Sequence, residues 1–179
     1  MKEGKTLEQE QIFKGKAVDL SVHKVELPNG KVTELEVIRH PGAAAVVPLT
    51  DEGQVLLVRQ YRYATGSWLL EVPAGKLDPG EAPEICAARE LEEEVGYRPG
   101  NLDSLGWMWT TPGFTNEKIW LYLARDLVAG TQDLQGDEVL SVESMALEKA
   151  VEEAHRGEIR DGKSVCALLR AAAYLETEE

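Results

Sequence analysis

The sequence predicts an α/β sandwich: strands gathered around one glutamate-rich helix, further helices at the C-terminal end, and an antiparallel β-sheet at the N-terminus that is a small subdomain, an arm packing on a second subunit, or part of the main sheet. Three observations carry this prediction. Alternating runs in the first forty residues flank Asn29-Gly30, a strong short-range hairpin signal. Short strand-like runs at 43–49, 54–62 and 68–72 precede, and runs at 102–109 and 118–124 follow, a helical stretch over 83–95. Helical periodicity closes the chain, at 146–156 and again from Asp161 to about Leu175. The Gly75 loop has neither the dinucleotide nor the P-loop glycine spacing.

Residues 1 to about 11 are polar and read as a loosely docked tail. Residues 17–27 and 32–38 are the two strands of the hairpin, with Pro28-Asn29-Gly30-Lys31 as its turn. Two runs, 43–49 and 54–62, are joined by the turn Asp51-Glu52-Gly53. Arg59 and Arg62 end the second run; each is a fork for phosphate or carboxylate, or a surface partner for one of the many glutamates. The strand 68–72 delivers Pro73-Ala74-Gly75 to the next loop. Trp107, Trp109 and Trp120 flank the loop 110–117 and read first as core or interface packing, second as ligand stacking. An acidic loop over 133–138, a strand from Val139 to about Glu143 and two helices complete the chain. Asp161 is the expected cap of the last helix, with Val165, Leu168, Leu169, Ala172 and Leu175 as its inner stripe. His23 and His40 stand alone, without the cluster a metal site requires.

The stretch Gly75–Tyr97 is the chemical centre. Pro83 suits a first helical turn and Gly96 the left-handed position past a helix end. On a helical wheel Ile85, Ala88, Leu91 and Val95 are expected to share the inner face, with Glu90, Glu93 and Glu94 together opposite. Carboxylates three and four apart repel one another on a bare helix. The bland reading is a solvated acidic face; the chemical one is a hard divalent cation held by carboxylate oxygens. Arg89 stands beside the cluster and can brace a carboxylate.

The spacing favours the chemical reading. Gly75, five residues, Glu81, seven residues, then Arg89-Glu90-Leu91-Glu92-Glu93-Glu94-Val95-Gly96 resembles the Nudix box of the Nudix hydrolases. Tyr97 stands where that family usually has an aliphatic residue. Within the family the chain looks like the ADP-ribose pyrophosphatase branch, because Thr111-Pro112-Gly113-Phe114 puts a proline sixteen residues past Gly96. The resemblance implies an α/β/α sandwich with a mixed sheet over residues 43–179, and an N-terminal arm over 1–42 that pairs a homodimer. It implies Mg²⁺, or Mn²⁺ as a substitute, and hydrolysis of a nucleoside diphosphate sugar, ADP-ribose, to AMP and ribose 5-phosphate. Carried over residue by residue, Glu90 and Glu94 match metal ligands, Glu93 a further ligand or water-mediated partner, and Ala74 a backbone-carbonyl ligand. Arg89 matches the arginine that orients the carboxylates, and Arg62 a substrate contact. Glu117 lies in the loop beside the site. Glu36 and Phe13 are candidates for the adenine site. The expected base is Glu138, with Glu93 or Glu94 as the alternative; relatives often carry two glutamates two positions apart there, and the earlier position here is Gly136. The alternatives are a hydrolase of another nucleotide sugar, such as GDP-mannose, and a non-catalytic nucleotide-sensing module.

Composition bounds the partners. A formal net charge of −13 over 179 residues opposes a nucleic-acid backbone, which needs a basic footprint. It leaves small phosphate esters open once a metal bridges the charges. Cys86 and Cys166 lack metal-ligand spacing and read as small hydrophobes in a reducing compartment. The opening is polar, with no secretion signal or membrane span expected, so a cytoplasmic protein is expected.

Overall fold

The computed structural model describes residues 2–134, 136 and 139–177. The chain divides into two compact units: Met1–Gly42 with Trp109–Lys118, and Ala43–Met108 with Ile119–Glu179.

The first unit is built on an antiparallel sheet of β1 (Lys5–Lys14), β2 (Asp19–Glu26) and β3 (Val32–Arg39), in that order. The hairpin falls where Asn29-Gly30 places it. Gly30 adopts φ 83°, which L side chains resist, and its N–H donates to Leu27 O at 2.8 Å. The expected N-terminal tail is instead strand β1, paired with β2 from Lys5 opposite Glu26 to Lys14 opposite Asp19. Every residue of β1 is exposed. Backbone pairing holds the strand, so it carries none of the buried apolar alternation that marks strands in a sequence. The 109–118 segment folds onto β3: Ile38 N donates to Phe114 O at 2.8 Å and His40 N to Asn116 Oδ1 at 2.8 Å.

The second unit begins with β4 (Ala43–Pro48) and β5 (Gln54–Arg62), then a single 3₁₀ turn, β6 (Ser67–Glu71) and β7 (Ala74–Lys76). Helix α1 (Pro83–Val95) is followed by β8 (Tyr97–Arg98), β9 (Asn101–Trp109), β10 (Lys118–Arg125), β11 (Val128–Ala129) and β12 (Leu140–Ala146). Helices α2 (Leu147–Arg156) and α3 (Gly162–Glu176) end the chain. The sheets are β7-β4-β10-β9, β12-β5-β6 and the two-stranded β11-β8. The first is mixed, because β4 runs parallel to β10 and antiparallel to β7.

Alternation along the central strands sorts the core into two layers. Ala43, Ala45, Val47, Val55, Leu57, Leu121 and Leu123 pack with Ala150, Ala154, Ala167 and Leu168 of α2 and α3. Ala44, Val46, Leu56, Val58, Tyr122 and Ala124 pack with Cys86, Ala87, Leu91 and Val95 of α1. Helices therefore cover both faces of these strands. β4, buried at every position, has the continuous apolar run of a strand covered on both sides. Burying one such Val, Leu or Ile side chain contributes about 1.5–3 kcal/mol.

Two stripes differ from expectation. The buried face of α1 is Cys86, Ala87, Glu90, Leu91, Glu94 and Val95, while Ile85 is 59% exposed. Glu90 and Glu94 thus share the inner face with the apolar residues rather than opposing it. The reason is what that face meets: strands β4 and β5 along part of its width and strand β7 along the rest. In α3 the buried residues are Ser164, Ala167, Leu168 and Ala171, a stripe centred on small residues that let the helix approach closely. Asp161 caps this helix as expected, accepting from Ser164 N at 3.0 Å. Among the described residues no helix is long and apolar enough to cross a membrane.

Candidate active site

Helix α1 starts at Pro83, whose missing N–H costs nothing in the first turn. It stops at Gly96, held at φ 78° with its N–H on Glu92 O at 2.9 Å. Between these stops Arg89 organises the acidic face. Its Nε donates to Glu81 Oε1 at 2.9 Å and its Nη2 to Glu81 Oε2 at 3.1 Å, a bidentate pair. Its Nη1 donates to Glu90 Oε1 at 2.7 Å and to Glu93 Oε2 at 3.0 Å. Nη2 also reaches Lys76 O at 3.2 Å. One guanidinium thus bridges the loop before the helix, through Glu81 and Lys76, to two glutamates of the helix. The hydrogen bonds from Arg89, with a further one from Asp78 N, hold the Glu81 carboxyl down at about 2. The same pairing raises the Arg89 pKa.

Glu90 and Glu94 are 4% and 3% exposed. Ala74 N donates to Glu94 Oε2 at 3.2 Å. Gly75 lies so close to Glu90 that a Cβ built on it would stand 1.8 Å from Glu90 Oε1. The glycine is there because a carboxylate occupies the space a side chain would take. Arg89, Glu92, Glu93, Thr131, Gln132 and Asp133 line an adjoining cavity of about 620 Å³. The 130–133 segment is stitched to the end of α1: Gly130 N donates to Gly96 O at 2.8 Å, Asp133 N to Glu93 O at 3.0 Å, and Gln132 Nε2 to Glu94 O at 2.7 Å.

Among the described residues no three His, Cys, Asp or Glu side chains stand grouped as a metal cage. The donor chemistry present is nonetheless that of a hard cation. Glu90, Glu94 and the Ala74 carbonyl offer only oxygen, and Mg²⁺ characteristically takes one or two carboxylates and completes its shell with water and substrate phosphates.

At the end of β5, Arg62 meets a carboxylate the sequence reading passed over. Its Nε and Nη2 donate to the two oxygens of Glu71 at 2.8 and 2.7 Å. Glu71 is 1% exposed and also accepts from Lys163. Burial pushes the Glu71 carboxyl up, but the Arg62 hydrogen bonds and the Lys163 charge outweigh it and hold the net value below the ordinary one. The available signal was a lone charge inside Leu69-Leu70-Glu71-Val72, since a buried charge must be partnered. Lys163, on α3, gave none. Arg59 resolves to its surface alternative: it forms a bidentate pair with Glu143 on β12.

The structure places the remaining candidates as follows. Phe13 and Glu36 lie on β1 and β3, both exposed. Glu117, in the same unit, accepts from Thr110 Oγ1 at 2.7 Å and lies 3.6 Å from His40 Nε2, so His40 does have a carboxylate neighbour. Glu138 lies outside the described residues. Cys86 and Cys166 are free, and burial pushes the Cys86 thiol up to about 12.

An α/β sandwich whose acidic helix buries Glu90 and Glu94 against strand β7 offers an all-oxygen donor set of the kind a hard cation takes. The chain belongs to the Nudix family: the NUDIX domain matches residues 39–168. It is 42% identical over 179 residues to an ADP-ribose pyrophosphatase of Bacillus subtilis, covering 99% of this chain and 95% of the relative. It is 41% identical to a methanol dehydrogenase activator of Bacillus methanolicus, with the same coverage. In fold it matches a crystal structure titled as an ADP compounds hydrolase, at a TM-score of 0.89 over 99% of this chain and 97% of that one, with 24% identity.

Proposed function

We propose that this protein hydrolyses the diphosphate bond of ADP-ribose, releasing AMP and ribose 5-phosphate, with Mg²⁺ as its cofactor and Mn²⁺ as a substitute. The observation that carries the reading is the Arg89 constellation: one arginine fixing Glu81, Glu90 and Glu93, with Glu90 and Glu94 buried against strand β7. The full-length likeness to an ADP-ribose pyrophosphatase supports the choice of substrate.

Glu90, Glu94 and the Ala74 carbonyl would hold the metal, with Glu93 as a further or water-mediated ligand. Bound there, Mg²⁺ supplies charge neutralisation for the diphosphate and acidifies water. Arg89 keeps the carboxylates in place. Arg62 offers its outer N–H groups to phosphate oxygen. Glu138 takes the proton from a water that attacks one phosphorus in line as the bridging P–O bond on the opposite side breaks and the other phosphate leaves with that oxygen, with Glu93 or Glu94 as the alternative acceptor. Phe13, Glu36 and Glu117 are proposed substrate contacts, the first two at the adenine end, in a cytoplasmic homodimer paired through the N-terminal strands.

The test is product analysis. Purified protein is incubated with ADP-ribose and Mg²⁺, beside GDP-mannose and a metal-free control, and the nucleotides are separated. Metal-dependent AMP, formed much faster than GMP from GDP-mannose, is the expected result. Faster GMP would shift the substrate to another nucleotide sugar. Binding of ADP-ribose without turnover in saturating Mg²⁺ would make the chain a sensing module.

A further inference from the structure

We infer that Glu71 is a positioning residue that sets Arg62 as a fork for a phosphate oxygen of the substrate, and that Lys163 holds Glu71 in place. This rests on the reading above in one respect, that Arg62 contacts substrate. The first observation is burial. Glu71 has 1% of its side chain exposed, Lys163 12% and Arg62 41%. The charge exposed toward solvent is thus the arginine, and what stands behind it is closed off. The second is geometry. Glu71 takes Nε and one N–H of Nη2; a guanidinium has five N–H groups in a rigid plane, so once two are clamped the direction of the others is set. An arginine on a free side chain loses rotamer entropy on binding; one already clamped loses less.

The third observation is that the clamp is tied to the residues leading into strand β7. Lys163 Nζ donates to Asp161 Oδ2 at 2.9 Å as well as to Glu71. Asp161 caps α3 through Ser164 N, and Ser164 Oγ, which donates to Asp161, accepts from Val72 N at 2.8 Å. Val72 leads directly into Pro73, Ala74 and Gly75. One chain of hydrogen bonds, buried at Glu71, Ser164 and Val72, therefore runs from the N-terminus of α3 to Arg62 in one direction and to the residues leading into strand β7 in the other. A network this buried is costly unless each member is satisfied. A purely structural ion pair would not need its one exposed member to keep a free edge. The alternative role, a buried pair serving stability alone, predicts a different outcome in the following experiment.

Glu71→Gln keeps the shape and removes the charge. The expected result is a KM about tenfold higher with kcat within about threefold of wild type, the pattern of lost substrate binding. Arg62→Ala should raise KM at least as much, and the double variant should match Arg62→Ala alone, because Glu71 acts only through Arg62. Lys163→Gln should raise KM and Lys163→Arg should restore it. A fully additive double variant, or a Glu71→Gln KM within twofold of wild type, overturns the inference. The substrate is whichever nucleoside diphosphate sugar the wild type turns over fastest, so failure on ADP-ribose would refute the substrate assignment and leave this test intact. A substrate-free measurement covers variants that do not fold. In ¹⁵N spectra of the wild type, the Arg62 Nε–H, assigned by its loss in Arg62→Lys, should exchange slowly with solvent. Fast exchange there overturns the clamp.

Discussion

Gly75 and Glu94 show how single residues set this site. The space a Cβ would need at position 75 is filled by Glu90. Gly75→Ala must therefore push that carboxylate aside or move the loop, at a cost of about 1–3 kcal/mol for overpacking. Thermal unfolding and turnover measured together should show both falling, with turnover down by more than tenfold. Glu94→Gln keeps the packing but gives up a charge and, on the proposed function, would offer the cation a poorer oxygen. Its turnover is expected to drop by about a hundredfold or more, roughly 3 kcal/mol of transition-state stabilisation. A rate within about threefold of wild type would remove Glu94 from the metal set. Mg²⁺-dependent protection against thermal unfolding should weaken in the same variant. These residues were legible because glycine and glutamate recur at a fixed spacing. The partner of Arg62 was not, because Glu71 lies nine positions along the chain in another strand and Lys163 lies beyond a hundred.

Helix α1 is more than a carrier of glutamates. Its last turn leaves backbone carbonyls without helical donors, and the 130–133 segment supplies donors to Glu93 O, Glu94 O and Gly96 O. Gln132→Ala removes one of these bonds. The expected cost is about 1 kcal/mol, a fall in melting temperature of about 2–4 °C for a chain of this size. Scanning calorimetry checks it, and an unchanged melting temperature would show that water replaces the amide. The helix boundaries could be read from Pro83 and Gly96, because both signals are local. Its buried arc could not be read by ranking hydrophobicity. The helix buries glutamate where it faces strand β7 and exposes Ile85 where nothing covers it. A similar rule applies to β1, which is a strand by pairing alone.

For the whole molecule, acid is the informative perturbation. Glu81, at about 2, and Glu71, also below the ordinary range, both bind protons less readily folded than unfolded. The unfolded chain therefore binds more protons between about pH 2 and the ordinary carboxylate pKa near about 4.3. Stability contributed by these two groups is complete above that window and is lost as pH falls through it. Urea midpoints should climb with pH across the window and level off above it. Glu81→Gln should flatten the climb; an unchanged slope would show that other carboxylates govern it. A net charge of −13 works against this loss, since the chain is self-repelling at neutral pH and sheds that repulsion as its carboxylates are protonated.

What the sequence determined by itself was everything encoded within one helix or one turn: the hairpin at Asn29-Gly30, the stops of α1, the cap at Asp161, and the spacing that puts Arg89 and Glu90, Glu93 and Glu94 within reach of one another. It also determined that β4 lies in the interior, because a continuous apolar run requires cover on both faces. Only the tertiary structure decided which of these groups are buried and what they touch. Glu81 reaches Arg89 across the loop, Gly75 makes room for Glu90, and Glu71 joins Arg62 to Lys163. Those pairings depend on three-dimensional approach between segments far apart in the chain, and a one-dimensional pattern carries no term for it.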